Sequence, residues 1–152
     1  MYQRVGAYEG RSTLQEMAKR WTDFDVGWTH SGFGMTSAPI CGTYHAEVAQ
    51  LPGEWAAAML VLIRPGGYIQ PHRDEPARAG LSRFHIVLQT NQRCWNYHDG
   101  DWQQLELGGI YTIDPTREHG SLNWGDAMRV HLVVDYAGAL ASPRALTGGL
   151  TL

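Results

Sequence analysis

Residue types that bind first-row metals recur in this chain at intervals that could bring them together. His72-Arg73-Asp74 sets an imidazole and a carboxylate two positions apart. Alternate residues of a strand point to one face, so both side chains can reach one point. A neutral imidazole beside a carboxylate suits Fe(II), Mn(II) or Zn(II). Alone, the pair reads equally well as a surface histidine and a turn aspartate after Pro71. His119 lies 45 residues beyond Asp74 and opens a later segment with Gly120 and Ser121. In a jelly roll, strands distant in sequence face each other across the barrel, so this spacing can close a three-ligand site. Two histidines and one carboxylate on one face leave the other positions of an octahedral ion open, as in non-haem Fe(II) oxygenases. The competing reading makes His119 a cap near Pro115-Thr-Arg-Glu118.

Two arginines extend the pattern. Arg129 sits in an otherwise apolar strand, Val130-His-Leu-Val-Val134. Pointing inward it needs an anion, because an unpaired buried charge is costly. Its planar fork suits a dicarboxylate co-substrate. Pointing outward, it would make a surface ion pair with Asp126 or Asp114. Alternation puts His131 on the face of Arg129, and likewise puts Arg83 with His85, while Phe84, Ile86 and Leu88 take the other face. A polar face in such a strand is either a pocket wall or a solvated surface.

The elements that must position these residues are mostly strands. Eighteen glycines and seven prolines favour turns over long helices. Ala57–Ile63 runs into a tight turn at Arg64-Pro-Gly-Gly67, followed by strands at Tyr68–His72 and Arg83–Gln89. Asp99-Gly100 is a hairpin signal after Cys94–Tyr97. Segments 102–107, 109–113, 119–124 and 127–136 complete about eight strands spaced near ten residues, a sandwich or jelly-roll pattern. Ahead of them, Thr13-Leu-Gln-Glu16 is a capping box for a helix through Trp21, and a second helix spans His45–Leu51. Residues 22–44 read as loop with one strand. The expectation is a mainly β, double-stranded β-helix (cupin-like) single domain over 1–152. An N-terminal extension covers 1–54, the barrel 55–137 and a tail 138–152.

Net charge −3 and a pI near 6.1 lack the basic footprint of a nucleic-acid binder. No apolar run reaches membrane-span length and no signal-peptide core opens the chain. Cys41 and Cys94 are too few for a disulfide framework and read as buried thiols. A cytoplasmic protein is expected, with no membrane or nucleic-acid partner. Trp95, Tyr97, Trp102 and Trp124 are either core or the floor of a substrate pocket.

Taken in order, Pro65-Gly-Gly-Tyr-Ile-Gln-Pro-His72, Arg83-x-His85, Gly109-Ile-Tyr-Thr-Ile-Asp114, Glu118-His119 and Arg129-x-x-x-x-Val-Asp135 resemble the aspartyl/asparaginyl β-hydroxylase domain over about residues 55–137. The joint order of five motifs is far more specific than any one of them. The resemblance implies a Fe(II)- and 2-oxoglutarate-dependent dioxygenase, using O₂ and, in vitro, ascorbate as reductant. It matches His72 and His119 to the metal ligands and Arg129 to the arginine that pairs with the distal carboxylate of 2-oxoglutarate. Arg83 and His85 match a pair contacting the co-substrate near the metal. Animal members carry glycine where this chain has Asp74, so Asp74 restores the complete facial triad and makes their substrate a weaker guide.

The function expected is hydroxylation of an aliphatic C–H, at a β-carbon, in an amino acid, a peptide or a small natural product. The alternative is a non-catalytic cupin-like module holding Zn(II) or a small acid, in which Arg83, His85 and Arg129 would lack an anion. A sugar-binding barrel explains the tryptophans and leaves the His/Asp/Arg set as coincidence.

Overall fold

The computed structural model describes residues 1–7, 29–30, 33–39, 55–75 and 81–137. The two helices expected at 13–21 and 45–51 and the tail from 138 fall outside the described residues. Among the described residues there are ten strands: β1 Gln3–Ala7, β2 Thr29–His30, β3 Phe33–Pro39, β4 Trp55–His72, β5 Leu81–Gln89, β6 Cys94–His98, β7 Asp101–Gln103, β8 Gly109–Ile113, β9 His119–Asn123 and β10 Arg129–Ala137. They form one antiparallel sheet in the order β1-β8-β5-β10-β4-β9-β6-β7, with β3 also on β4 and β2 on β3. The sheet curls on itself. β1 and β6 lie near opposite ends of that order, yet the rings of Tyr2 and His98 are 5.9 Å apart.

β4 is where the structure departs most from the expected elements. Arg64-Pro-Gly-Gly67 does not reverse the chain; β4 continues for 18 residues from Trp55 to His72. Opposite β3, the partner of Met35 is Ile63 but the partner of Phe33 is Tyr68, so the surplus residues are absorbed as a bulge. Gly66 takes a positive φ of 78° there. The bulge bends β4 from its pairing with β10 (Ala57 to Ile63) into its pairing with β9 (Tyr68 to His72). The segment read as loop with one strand carries two, and β1 had no distinct signature. The expected strand at 102–107 is confined to β7.

The Asp99-Gly100 hairpin is as expected: both residues adopt positive φ, 51° and 101°, the geometry of a two-residue I′ turn. Both faces of β5 and β10 are buried. Phe84, Ile86, Leu88, Val130, Leu132 and Val134 take one face, and Arg83, His85, Arg129, His131, Val133 and Asp135 the other. One apolar cluster joins Tyr2, Val87, Leu105, Tyr111 and Ile113; a second joins Met35, Val61, Ile63 and Val133. Each such side chain contributes roughly 1.5–3 kcal/mol of burial free energy. Trp95, Trp102 and Trp124 are not core, being 37%, 47% and 62% exposed, and none lines the cavity that holds His72 and His119. Cys94 is buried, as expected. No helix among the described residues is long and apolar enough to cross a membrane.

Candidate metal centre and anion cavity

His72 ends β4 and His119 begins β9, and the two are paired directly in register. Residues opposite each other share a face, so their rings meet at 4.4 Å between centroids. Asp74 follows in extended chain, pinned by its N–H donating to Pro115 O at 3.1 Å. Its Oδ1 is 3.6 Å from His72 Nε2 and 4.0 Å from His119 Nε2. The three ligand atoms all lie within 4.8 Å of one another. Cis ligands of one ion at roughly 2.1 Å would sit about 3 Å apart, so small adjustments close the set.

The histidines are oriented for this role. His72 Nδ1 lies 2.8 Å from Gln70 O and His119 Nδ1 2.9 Å from Arg117 O. A carbonyl only accepts, so each Nδ1 carries the hydrogen and each Nε2 offers a bare lone pair to the site. Burial pulls the His119 pKa down, keeping it neutral, whereas the Asp74 carboxylate beside the ring, which favours its protonated form, raises that of His72. Burial opposes ionisation of Asp74, but the neighbouring His72 ring and the charge of Arg83 hold it at about 2. Gly120 lets the strands approach this closely: a Cβ there would lie 2.8 Å from Ile69 O and 3.0 Å from Pro71 N.

Arg83 is committed to carboxylates. Its Nε and Nη2 donate to Asp135 Oδ1 and Oδ2 at 2.7 and 2.9 Å, and its Nη1 pairs with Asp74 Oδ2 at 2.7 Å. The expectation that Arg83 would lack an anion in a non-catalytic module is therefore corrected: the fold itself supplies two.

Arg129 is the opposite case. It is 1% exposed. Nη2 donates to Asn96 Oδ1 at 2.8 Å and Ser121 Oγ at 3.3 Å, both neutral oxygens. Its Nη1 is buried with no partner among the described residues, and no carboxylate there pairs with it. Burial lowers its pKa to about 10. The surface ion pair with Asp126 or Asp114 is excluded. His85 Nδ1 meets His131 Nδ1 at 3.2 Å, and His85 Nε2 is another buried atom without a partner among the described residues. Burial holds both imidazoles well below the ordinary pKa of 6.5, so both are neutral.

The metal-site residues, Arg83, His85 and Arg129 line one cavity of about 490 Å³. His72, Asp74 and His119 stand at one part of it; Arg129, His85, Ser121 and Tyr2 form a polar wall, and Met35, Met59, Val61, Ile69 and Val133 an apolar one. All six residues expected from sequence are thus brought together. Tyr2, which the sequence did not reveal, is 2% exposed and stands edge-on to His85 with centroids 5.4 Å apart. Asn96 was also missed; a neutral clamp for an arginine has no signature in spacing. The donor set fits a first-row divalent ion, and the unpaired Arg129 nitrogen fits an anion beside it.

Comparison with known proteins agrees with this chemistry. The profile of the family described as Aspartyl/Asparaginyl beta-hydroxylase matches residues 5–138. An ornithine lipid ester-linked acyl 2-hydroxylase of Rhizobium tropici is 30% identical over 130 residues, 82% of this chain and 44% of the relative. An L-proline cis-4-hydroxylase of Rhizobium meliloti (strain 1021) is 28% identical over 78 residues, 51% of this chain and 28% of the relative. The chain therefore spans less than half the length of these two relatives. Among solved structures, a predicted oxalate decarboxylase from Thermotoga maritima superposes with a TM-score of 0.50 at 16% identity, over 68% of this chain and 80% of that one. The Schizosaccharomyces pombe Cnp3 cupin domain gives 0.53 at 10% identity, over 74% and 69%. At such identities they show the cupin-like fold alone.

Proposed function

The chain belongs to the aspartyl/asparaginyl β-hydroxylase family, and from that premise we propose that it is a non-haem Fe(II)- and 2-oxoglutarate-dependent hydroxylase of aliphatic C–H bonds. The observation that carries this reading is Arg129, a buried cation with an unpaired nitrogen and no carboxylate partner among the described residues, in the same cavity as His72, Asp74 and His119. When bound, Fe(II) supplies four-electron reduction of O₂, two electrons coming from 2-oxoglutarate, released as succinate and CO₂, and two from the hydroxylated C–H bond.

The chain's own residues prepare that chemistry. Gln70 O and Arg117 O fix the imidazole tautomers, and Arg83 holds Asp74 ionised and in place. Arg129 binds the distal carboxylate, and its neutral clamp by Asn96 and Ser121 leaves its full charge for that anion. His85 turns its unpartnered nitrogen toward the same co-substrate. The apolar wall excludes water from a reactive oxidant and receives the hydrocarbon part of the substrate. The cavity exceeds what a five-carbon diacid fills, which supports a second occupant: an amino acid, a peptidyl residue or a small natural product hydroxylated at its β-carbon. The relatives' names, an acyl 2-hydroxylase and a proline 4-hydroxylase, support an aliphatic target.

The test is uncoupled turnover. Protein with Fe(II), ascorbate, 2-oxoglutarate and O₂ should form succinate slowly without substrate. No succinate, together with no 2-oxoglutarate binding to Mn(II)-loaded protein, overturns the reading in favour of a non-catalytic metal-binding module. Amino acids and peptides screened for a gain of one oxygen atom then identify the substrate.

A further inference from the structure

We propose that Tyr2 is a co-substrate-binding residue whose phenol donates to the same distal carboxylate as Arg129. The inference rests on reading the cavity as a 2-oxoglutarate site. Tyr2 lies ahead of the family match, which begins at residue 5, and it lines the cavity with its side chain wholly inside the fold.

Hydrogen bookkeeping supports the role. The single hydrogen of Ser121 Oγ goes to Asn96 Oδ1 at 3.1 Å, so Ser121 meets its other neighbours as an acceptor. Arg129 Nη2 reaches it at 3.3 Å, and Tyr2 lines the same cavity as Ser121 and Arg129. Arginine and phenol therefore border one cavity, with Ser121 between them in its lining. Both hydrogens of Arg129 Nη2 are taken by Asn96 and Ser121, leaving Nη1 for an anion. A carboxylate has about four lone-pair sites, so it can take Nη1 together with the phenol of Tyr2. Burial pushes the Tyr2 pKa up to about 12, despite the opposing charges of Arg129 and Arg83, and the group remains a donor at neutral pH. Its ring is fixed by packing on Val87, Leu105, Tyr111 and Ile113, so the hydroxyl is presented at little cost in order.

Tyr2→Phe removes the hydroxyl and keeps the ring. Calorimetry on Mn(II)-loaded protein should show 2-oxoglutarate bound about tenfold more weakly by the variant. Binding of 2-oxobutyrate, which has no distal carboxylate, should be the same in both proteins. Unchanged 2-oxoglutarate affinity, or equal weakening of both acids, overturns the role. Failure of the unmutated protein to bind 2-oxoglutarate overturns the cavity reading itself, a distinguishable result. A measurement on the unmutated sequence guards against a variant that does not fold. With residue 2 carrying ¹³C at Cζ and Zn(II) supplied, 2-oxoglutarate should shift that resonance and 2-oxobutyrate leave it in place. Equal effects of the two acids overturn the proposal.

Discussion

Asp135 holds Arg83 by two parallel hydrogen bonds of 2.7 and 2.9 Å inside the barrel, and that grip aims the remaining Arg83 nitrogen at Asp74. A metal ligand just beyond the end of β4 is thus oriented from the neighbouring strand β10, through one guanidinium on β5.

Truncating Asp135 should therefore do two things. Removing one partner of a buried ion pair costs about 3–5 kcal/mol, so Asp135→Ala should lose that much in urea unfolding. Its Mn(II) affinity should also fall, because Arg83 no longer fixes Asp74. Loss of stability with metal affinity unchanged contradicts the link.

Arg129 should show stability and binding in conflict. A base whose folded pKa is about 10, below its unfolded value of 12.5, opposes folding at every pH below about 10. The penalty shrinks only as pH rises through that window. Arg129→Met should consequently be at least as stable as the unmutated protein in thermal melting, with Mn(II) binding retained and 2-oxoglutarate affinity lower by about a hundredfold. His72→Ala, by contrast, should lose the metal. Equal metal loss in both variants rules out the division of roles.

The buried pair His85 and His131 sets the acid limit of the metal-free protein. Both stay neutral in the fold while the unfolded chain protonates below pH 6.5. Their contribution is present above 6.5 and is lost as pH falls, with a limiting slope of about 2.7 kcal/mol per pH unit. His131→Leu should roughly halve that slope in urea titrations between pH 6 and 5; an unaltered slope refutes the assignment.

Gly120→Ala is a test of strand approach. The added methyl meets the backbone of Ile69 and Pro71, which cannot yield as a side chain would. Overpacking of this kind costs about 1–3 kcal/mol, and parting β4 from β9 should weaken Mn(II) binding in the same variant. Full metal affinity with normal stability contradicts the packing argument.

The metal ligands were legible in sequence because strand alternation fixes which neighbours share a face, and His72, Asp74 and His119 need little more. Arg129 was legible because a charge among valines must be answered somehow. Arg83 was half legible: its inward face followed from alternation, but its two carboxylate partners depend on pairing β5 with β10, which local pattern does not encode. The same holds for Tyr2, whose place is set by β1 adding to β8. The Arg64–Gly67 stretch carried a true bend signal, and only pairing on both sides of β4 decides between a reversal and a bulge.

That bulge also governs how the chain can change length over evolutionary time. Met59 and Val61 lie before it and His72 after it, on one continuous strand. An insertion of one residue ahead of the bulge would flip the apolar wall outward, and one behind it would rotate His72 away from His119. Arg64–Gly67 is already out of ladder register and largely at the surface, so it can gain or lose a residue with both registers intact. Homologous chains should therefore differ in length at this point of β4 and hold constant spacing on either side.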